Sequence, residues 1–196
     1  MLYIKANPKA DNQSHTFRMS EAFIKSYKEA NPQDSIITLD LYAERIQFLD
    51  GQLLNEMFTT GSSLLTRYAT QFAQADRYVI AAPMWNLASP AILKAYFDYV
   101  VLTGITFKYT EQGPVGLLAD KGKKCAHIVA RGGLYSQGPT EAYEMGDRYI
   151  RTIMGFMGVH DIITISTELT GVLQAQELEA SVRDSVEKAA KLGKTF

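Results

Sequence analysis

Two stretches of this sequence, RYVIAAP (77–83) and CAHIVA (125–130), are apolar without alternation. A strand with one wet face alternates polar and apolar residues. Unbroken apolar runs of this length therefore belong to strands covered on both faces, as in a parallel sheet flanked by helices. LYIKA (2–6), SIITLDL (35–41) and DIITIST (161–167) read as further strands, the first of them broken by Asn7-Pro8. Helical spacing fills the gaps. Met19, Phe23 and Tyr27 recur by fours over 16–30, and Leu65, Tyr68 and Phe72 share a face over 62–74. A helix over 139–157 carries Ile150, Ile153, Met154 and Met157 as its core stripe. One over 174–192 carries Leu178, Val182, Val186 and Ala189, and Gly193 stands as its C-cap. The expected class is α/β, an open five-stranded parallel sheet with helices on both faces, formed by residues 1–196 as a single domain.

Ser89-Pro90 starts another helix, reaching about Leu102, that is apolar nearly all round apart from Lys94 and Asp98. Such a helix is buried on more than one side, so a two-fold homodimer is expected. The segment 103–122 reads as a long loop that exposes Phe107 and Tyr109, and loops of that length are often functional.

Composition excludes several classes. Lys and Arg number 20 against 21 Asp and Glu, and the longest basic cluster is Lys121-Gly122-Lys123-Lys124, so no nucleic-acid partner is expected. Cys125 is the only cysteine and sits inside an apolar run; His15, His127 and His160 show no ligand spacing, so no metal site is expected. No apolar run spans a membrane or makes a signal peptide, which points to a cytoplasmic protein without a membrane partner.

Open parallel sheets bind ligands beyond the carboxyl ends of their strands, which directs attention to the loops at 7–15, 83–89 and 131–138. The first places Ser14, His15 and Thr16 at a helix N-terminus, where hydroxyls and free N–H groups suit an anion; the same residues also make an ordinary N-cap. Neither GxxxxGK[ST] nor GxGxxG occurs, so a monophosphate fits better than a triphosphate or a dinucleotide. The second loop, PMWNLASP, puts Met84 and Trp85, a flat apolar surface, beside the hydrogen-bonding amide of Asn86; capping of the core would use the same Met and Trp. The third, ARGGLYSQGP, has paired glycines that let backbone N–H groups approach a ligand, or simply form a turn.

The string PMWNLASPAILKAYFDYVVLTGITFKYTEQGPVGLLADK (83–121), followed by ARGGLYS and GFMGV, resembles the FMN-dependent NADH azoreductases, flavodoxin-like quinone reductases of bacteria. The similarity runs through most of the chain in the same order. It implies that Asn7, Ser14, His15 and Thr16 hold the FMN phosphate. Met84, Trp85, Asn86 and Leu87 line the isoalloxazine ring, and Ala130, Arg131, Gly132 and Gly133 wrap its pyrimidine side. Phe107 and Phe156 match aromatic residues that sandwich the second substrate across the dimer. The implied activity is ping-pong, two-electron transfer from NADH or NADPH to quinones or azo compounds, with the flavin carrying the chemistry and no catalytic residue in the chain. The alternative is a flavodoxin-type electron carrier, although such carriers dock through strongly acidic surfaces and the net charge here is -1.

Four positions depart from the family pattern. Asn7-Pro8-Lys9 replaces the usual Ser-Pro-Arg and keeps a polar side chain. Ala130 replaces a Ser that supplies a hydroxyl, leaving the backbone contacts. Trp85 stands where Tyr is common and offers a larger stacking face.

Overall fold

The computed structural model describes residues 1–59, 61–119 and 121–196, so Asp120 of the family-like string lies outside the described residues. Five strands, β1 (Leu2–Lys5), β2 (Ile37–Asp40), β3 (Arg77–Ala81), β6 (Lys124–Ala130) and β7 (Asp161–Thr167), form one sheet in the order β2-β1-β3-β6-β7. Every pairing is parallel. This is the doubly wound order of a flavodoxin-like fold. The helices are α1 (His15–Ala30), α2 (Gly51–Phe58), α3 (Ser63–Gln74), α4 (Ala91–Val100), α5 (Gly146–Phe156) and α6 (Ala175–Gly193).

Side chains of a strand alternate between its two faces, and β3 shows why its sequence has no polar phase. Tyr78 and Ile80 pack with Phe72, Tyr96 and Phe97 beneath α3 and α4. Val79 and Ala81 pack with Phe17, Phe23 and Ala189 beneath α1 and α6. Both faces are therefore core. Cys125 is buried there too, its thiol pushed above the usual range by burial.

The structure corrects the sequence reading in three places. Gly193 is not a cap: α6 runs through it and is capped by Lys194. A Cβ at this position would lie 2.3 Å from the Phe23 carbonyl oxygen, so the missing side chain lets α6 lie directly on α1. The helix expected over 139–157 is interrupted. Pro139–Tyr143 forms a 3-10 turn, and α5 starts only at Gly146, because the Glu144 carboxylate accepts the Asp147 and Arg148 N–H groups and so caps the new helix.

The third correction concerns 103–122, which contains an antiparallel hairpin of β4 (Phe107–Thr110) and β5 (Gly113–Gly116). Tyr109 is exposed as expected, but Phe107 is only 6% exposed. Its ring lies 4.9 Å from that of Phe156.

Candidate functional site

The carboxyl ends of β1, β3, β6 and β7 open on one edge of the sheet, and the loops that leave them enclose a cleft of about 230 Å³. Asn7, Ser14, His15, Thr16, Met84, Trp85, Ala130 and Gly132 line it, so the structure brings together eight residues from three separated segments.

The first wall is the start of α1. Ser14 is its N-cap, and its Oγ accepts from the Phe17 N–H at 3.2 Å and from Asn7 Nδ2 at 3.0 Å. With both acceptor positions engaged, the Ser14 hydroxyl proton is left to face the cleft. The His15 and Thr16 N–H groups, in the first turn, have no intrahelical acceptor, and they lie at the positive end of the helix dipole. His15 Nδ1 is buried without a partner. Burial, aided by the charge of Arg18, pushes the His15 pKa down, so the ring is a neutral hydrogen-bonding group at neutral pH. Thr16 Oγ1 accepts from the Ala130 N–H at 3.1 Å and ties this wall to the loop after β6.

The second wall is a two-residue turn. Trp85 and Ala88 exchange backbone hydrogen bonds of 2.8 and 3.1 Å, with Asn86 at φ 48° and Leu87 at φ 72°. Positive φ at both central residues is the type I′ geometry. Asn tolerates it; a leucine does not without strain. The turn leaves Trp85 39% exposed beside Met84, whose N–H donates to the Ala130 carbonyl at 3.0 Å. Asn86 and Leu87 form the exposed tip and do not line the cleft. Asn86 instead borders an adjoining groove shared with Trp85, Tyr42 and Phe48. Leu87→Gly is expected to raise stability by roughly 1 kcal/mol, the strain relieved less the entropy of a freer unfolded chain. Thermal unfolding checks this.

The third wall follows β6. Gly132 faces the cleft, whereas Arg131 and Gly133 do not line it. The Arg131 guanidinium turns inward to Glu168 at 3.1 Å and Glu144 at 3.4 Å. The segment after β7, absent from the expected site, closes this side. The Thr170 N–H and Oγ1 both donate to the Arg131 carbonyl, and the Gly171 N–H donates to that of Gly132 at 3.0 Å. The carbonyls of this loop are thus taken up by the segment after β7. Its Gly132 and Gly133 N–H groups, which meet no protein acceptor among the described residues, stay available.

Lys9, Gln13, Pro83 and Thr170 also line the cleft and were not singled out from the sequence. Thr170 had a signal: it follows a parallel strand and must lie at the same edge as the other loops. Phe107 and Phe156 meet each other but lie far from this cleft. The α5 helix begins against the Trp85–Ala88 turn, where the Met145 N–H donates to the Leu87 carbonyl at 2.9 Å. Phe156 ends that helix, about 15 Å further along at 1.5 Å per residue.

Among the described residues no cluster of three or more His, Cys, Asp or Glu is placed to hold a metal, and no helix is long and apolar enough to cross a membrane.

Comparison with known proteins extends the geometry. Residues 1–192 match the family described as having a flavodoxin-like fold. A protein of Clostridium acetobutylicum named FMN-dependent NADH:quinone oxidoreductase 2 is 52% identical over 200 residues, covering 100% of this chain and 98% of its own. An FMN-dependent NADH:quinone oxidoreductase of Lachnoclostridium phytofermentans is 53% identical over 201 residues, with the same coverage. Among solved structures, an azoreductase from Bacillus anthracis superposes with a TM-score of 0.91 at 37% identity, covering 100% of this chain and 98% of that one. An FMN-dependent NADH-azoreductase of the same species, solved in complex with FMN, gives 0.86 at 29% identity and covers 98% of each chain.

Proposed function

Because the chain belongs to the family of FMN-dependent NADH:quinone oxidoreductases with a flavodoxin-like fold, we propose that it is an FMN-dependent NAD(P)H oxidoreductase that reduces quinones and azo compounds. The observation that carries the reading is the set of groups gathered in one cleft. The α1 N-terminus with Ser14, the unpartnered His15 Nδ1 and Thr16, the apolar side chains of Met84 and Trp85, and Gly132 beyond Ala130 line it together. A phosphate, a flat ring and ring carbonyls call for that set, so the residues fit FMN. Bound there, FMN supplies the two-electron chemistry between a nicotinamide and the acceptor.

The chain's own work is to bind, orient and polarise. The α1 N-terminus and the buried His15 Nδ1 hold the phosphate. Asn7 orients Ser14 for that contact. Met84 and Trp85 lie along the ring, with Asn86 and Leu87 setting the turn that presents them. The Gly132 N–H stabilises negative charge on the pyrimidine side, and the Arg131 backbone shapes that loop.

NAD(P)H and the acceptor use the same open face in turn, which gives ping-pong order. Parallel double-reciprocal plots are the expected steady-state result. The working form is a homodimer in the cytoplasm: the Phe107–Phe156 pair, distant from its own cleft, serves the partner's, although the apolar side chains of α4 are already buried in this chain's own core. The second reading, a flavodoxin-type carrier, is disfavoured by the net charge of -1.

A visible spectrum and stopped-flow mixing test the reading. Purified protein is expected to carry FMN and to be bleached directly by NADH. Retention of FMN with bleaching only when a separate reductase is added sinks the enzyme and leaves the carrier; failure to take up FMN at all sinks both. Ser14→Ala is expected to weaken FMN binding about tenfold, by loss of one donor to a charged group. It also removes a helix cap worth about 1 kcal/mol. Flavin fluorescence titration measures the first and urea unfolding the second, and riboflavin, which lacks the phosphate, is expected to bind both forms equally.

A further inference from the structure

A buried guanidinium in a ring-binding loop invites the reading that it touches the ligand, yet here both of its terminal nitrogens are turned to carboxylates, and only the buried Nε has no partner among the described residues. The Arg131 side chain is 6% exposed and lies between Glu144 and Glu168, themselves 10% and 12% exposed. Each carboxylate reaches onward. Glu168 accepts from the Tyr135 N–H at 2.9 Å and from the Ser136 hydroxyl, fixing the far side of the third loop. Glu144 accepts the Asp147 and Arg148 N–H groups at 2.9 and 3.3 Å, and so sets where α5 begins. The residue after Glu144, Met145, donates its N–H to the Leu87 carbonyl in the turn that presents Trp85. The Arg131 backbone adds a third strut through its carbonyl, which holds Thr170.

We propose that Arg131 is a positioning residue whose guanidinium, clamped between Glu144 and Glu168, fixes the spacing between the Trp85 turn and the Gly132-Gly133 loop, and with it the fit of the flavin ring. This rests on the flavin reading of the cleft. The guanidinium needs no contact with the ring. One planar fork reaches two carboxylates that belong to different walls, and each carboxylate carries backbone N–H groups with it. A buried charge cluster of this kind holds its geometry because loss of the cation leaves two carboxylates facing each other. The Glu144 carboxylate is partly compensated by the α5 N-terminus.

The role predicts a signature that separates it from both a ligand contact and a purely structural pair. The clamp acts on the Trp85 and Gly132 walls and, among the described residues, makes no contact with the α1 wall, so its loss should affect FMN and riboflavin alike. Arg131→Lys, Arg131→Met and Glu168→Gln in the full chain are titrated with FMN and with riboflavin, and the visible circular dichroism of the bound flavin is recorded with kcat and KM for NADH. Arg131→Met is expected to weaken both flavins by the same factor, about tenfold to a hundredfold, to change the dichroism of the flavin bands, and to lower kcat by about a hundredfold, the effect of a misplacement near 1 Å. Arg131→Lys is expected to recover only part of this, because an ammonium does not reproduce the two-sided fork.

Wild-type flavin affinities, dichroism and kcat in all three variants, with only the melting temperature lowered, overturn the proposal. So does a loss confined to FMN, which would place the guanidinium's effect at the phosphate. Should Arg131→Met fail to fold, Arg131→Lys and Glu168→Gln carry the same comparison. A wild-type chain that takes up neither flavin refutes the function itself, whereas normal wild-type binding with unchanged variants refutes the clamp alone.

Discussion

Asp147→Ala is expected to cost about 3–5 kcal/mol of stability, as removal of one partner from a buried ionic network does. The Asp147 carboxylate joins three elements: it meets His127 Nδ1 of β6 at 2.7 Å, accepts from Thr164 Oγ1 of β7 at 2.6 Å and from Arg151 Nε one turn along α5 at 2.6 Å. Arg151 continues to the Ile162 carbonyl at 3.0 Å. Without the carboxylate, His127 keeps a buried ring whose other nitrogen, Nε2, already has no partner. Burial alone would raise the Asp147 pKa. The hydrogen bond and charge of His127, with Thr164 and Arg151, reverse that and hold it well below the usual carboxylate range.

The sign of the pH dependence follows. A depressed carboxyl contributes stability that is fully present above its unfolded pKa, near 3.9, and is lost as pH falls through the lower, folded value. Urea unfolding at a series of pH values below about 5 is expected to show the gap between wild type and Asp147→Ala narrowing steadily below about pH 4. A gap of the same size at every pH would remove the carboxylate's ionisation from the explanation.

Gly158→Ala is expected to be as damaging, for a different reason. Gly158 ends α5 at φ 101°, and a Cβ there would lie 2.4 Å from the Ala119 backbone nitrogen. The left-handed conformation costs an L-residue about 1–2 kcal/mol, and forcing the Ala119 backbone aside costs about 1–3 kcal/mol more. The damage is directional. The Leu118 N–H donates to the Met157 carbonyl at 2.9 Å, so this contact docks the base of the β4–β5 hairpin, which carries Phe107 against Phe156. In the dimeric enzyme proposed above, the variant is expected to lose quinone turnover while keeping FMN affinity, because the displaced aromatic pair serves the partner's cleft. Parallel measurement of FMN binding and kcat decides it.

The parallel sheet was legible because its strands are buried twice: 77–81 and 125–130 have no polar phase, and helices with four-residue apolar spacing lie between them. The Ser14 and Trp85 loops were legible because a parallel strand delivers its following loop to a known edge. The β4–β5 hairpin was not, since four-residue strands with a glycine at each end of one of them carry no periodicity to read. Nor was α2, which buries no side chain completely and so shows no clear stripe. The resemblance places Arg131 at the ring because it stands in a string similar to the family's ring-binding loop. Its partners, Glu144 and Glu168, are remote in sequence, and nothing in the spacing of charges marks them as its neighbours. Gly193 at the end of a helix looks like a cap, and only the nearness of the Phe23 carbonyl shows that it is a contact surface.

The strand order β2-β1-β3-β6-β7 also dictates how the chain can assemble as it emerges from the ribosome. Strand β2 adds to one edge of β1, β3 to the other, and β6 and β7 then extend the same side in turn. No late strand must wedge between two that are already joined, so a nascent chain can build the sheet outward in the order of synthesis. The cleft matures last. Its first wall exists once α1 has docked, but Thr170 closes it only after β7, and α6 then seats on α1 at Gly193. A chain released before that point would hold the Ser14, Trp85 and Gly132 walls of the cleft without the Thr170 side that closes it.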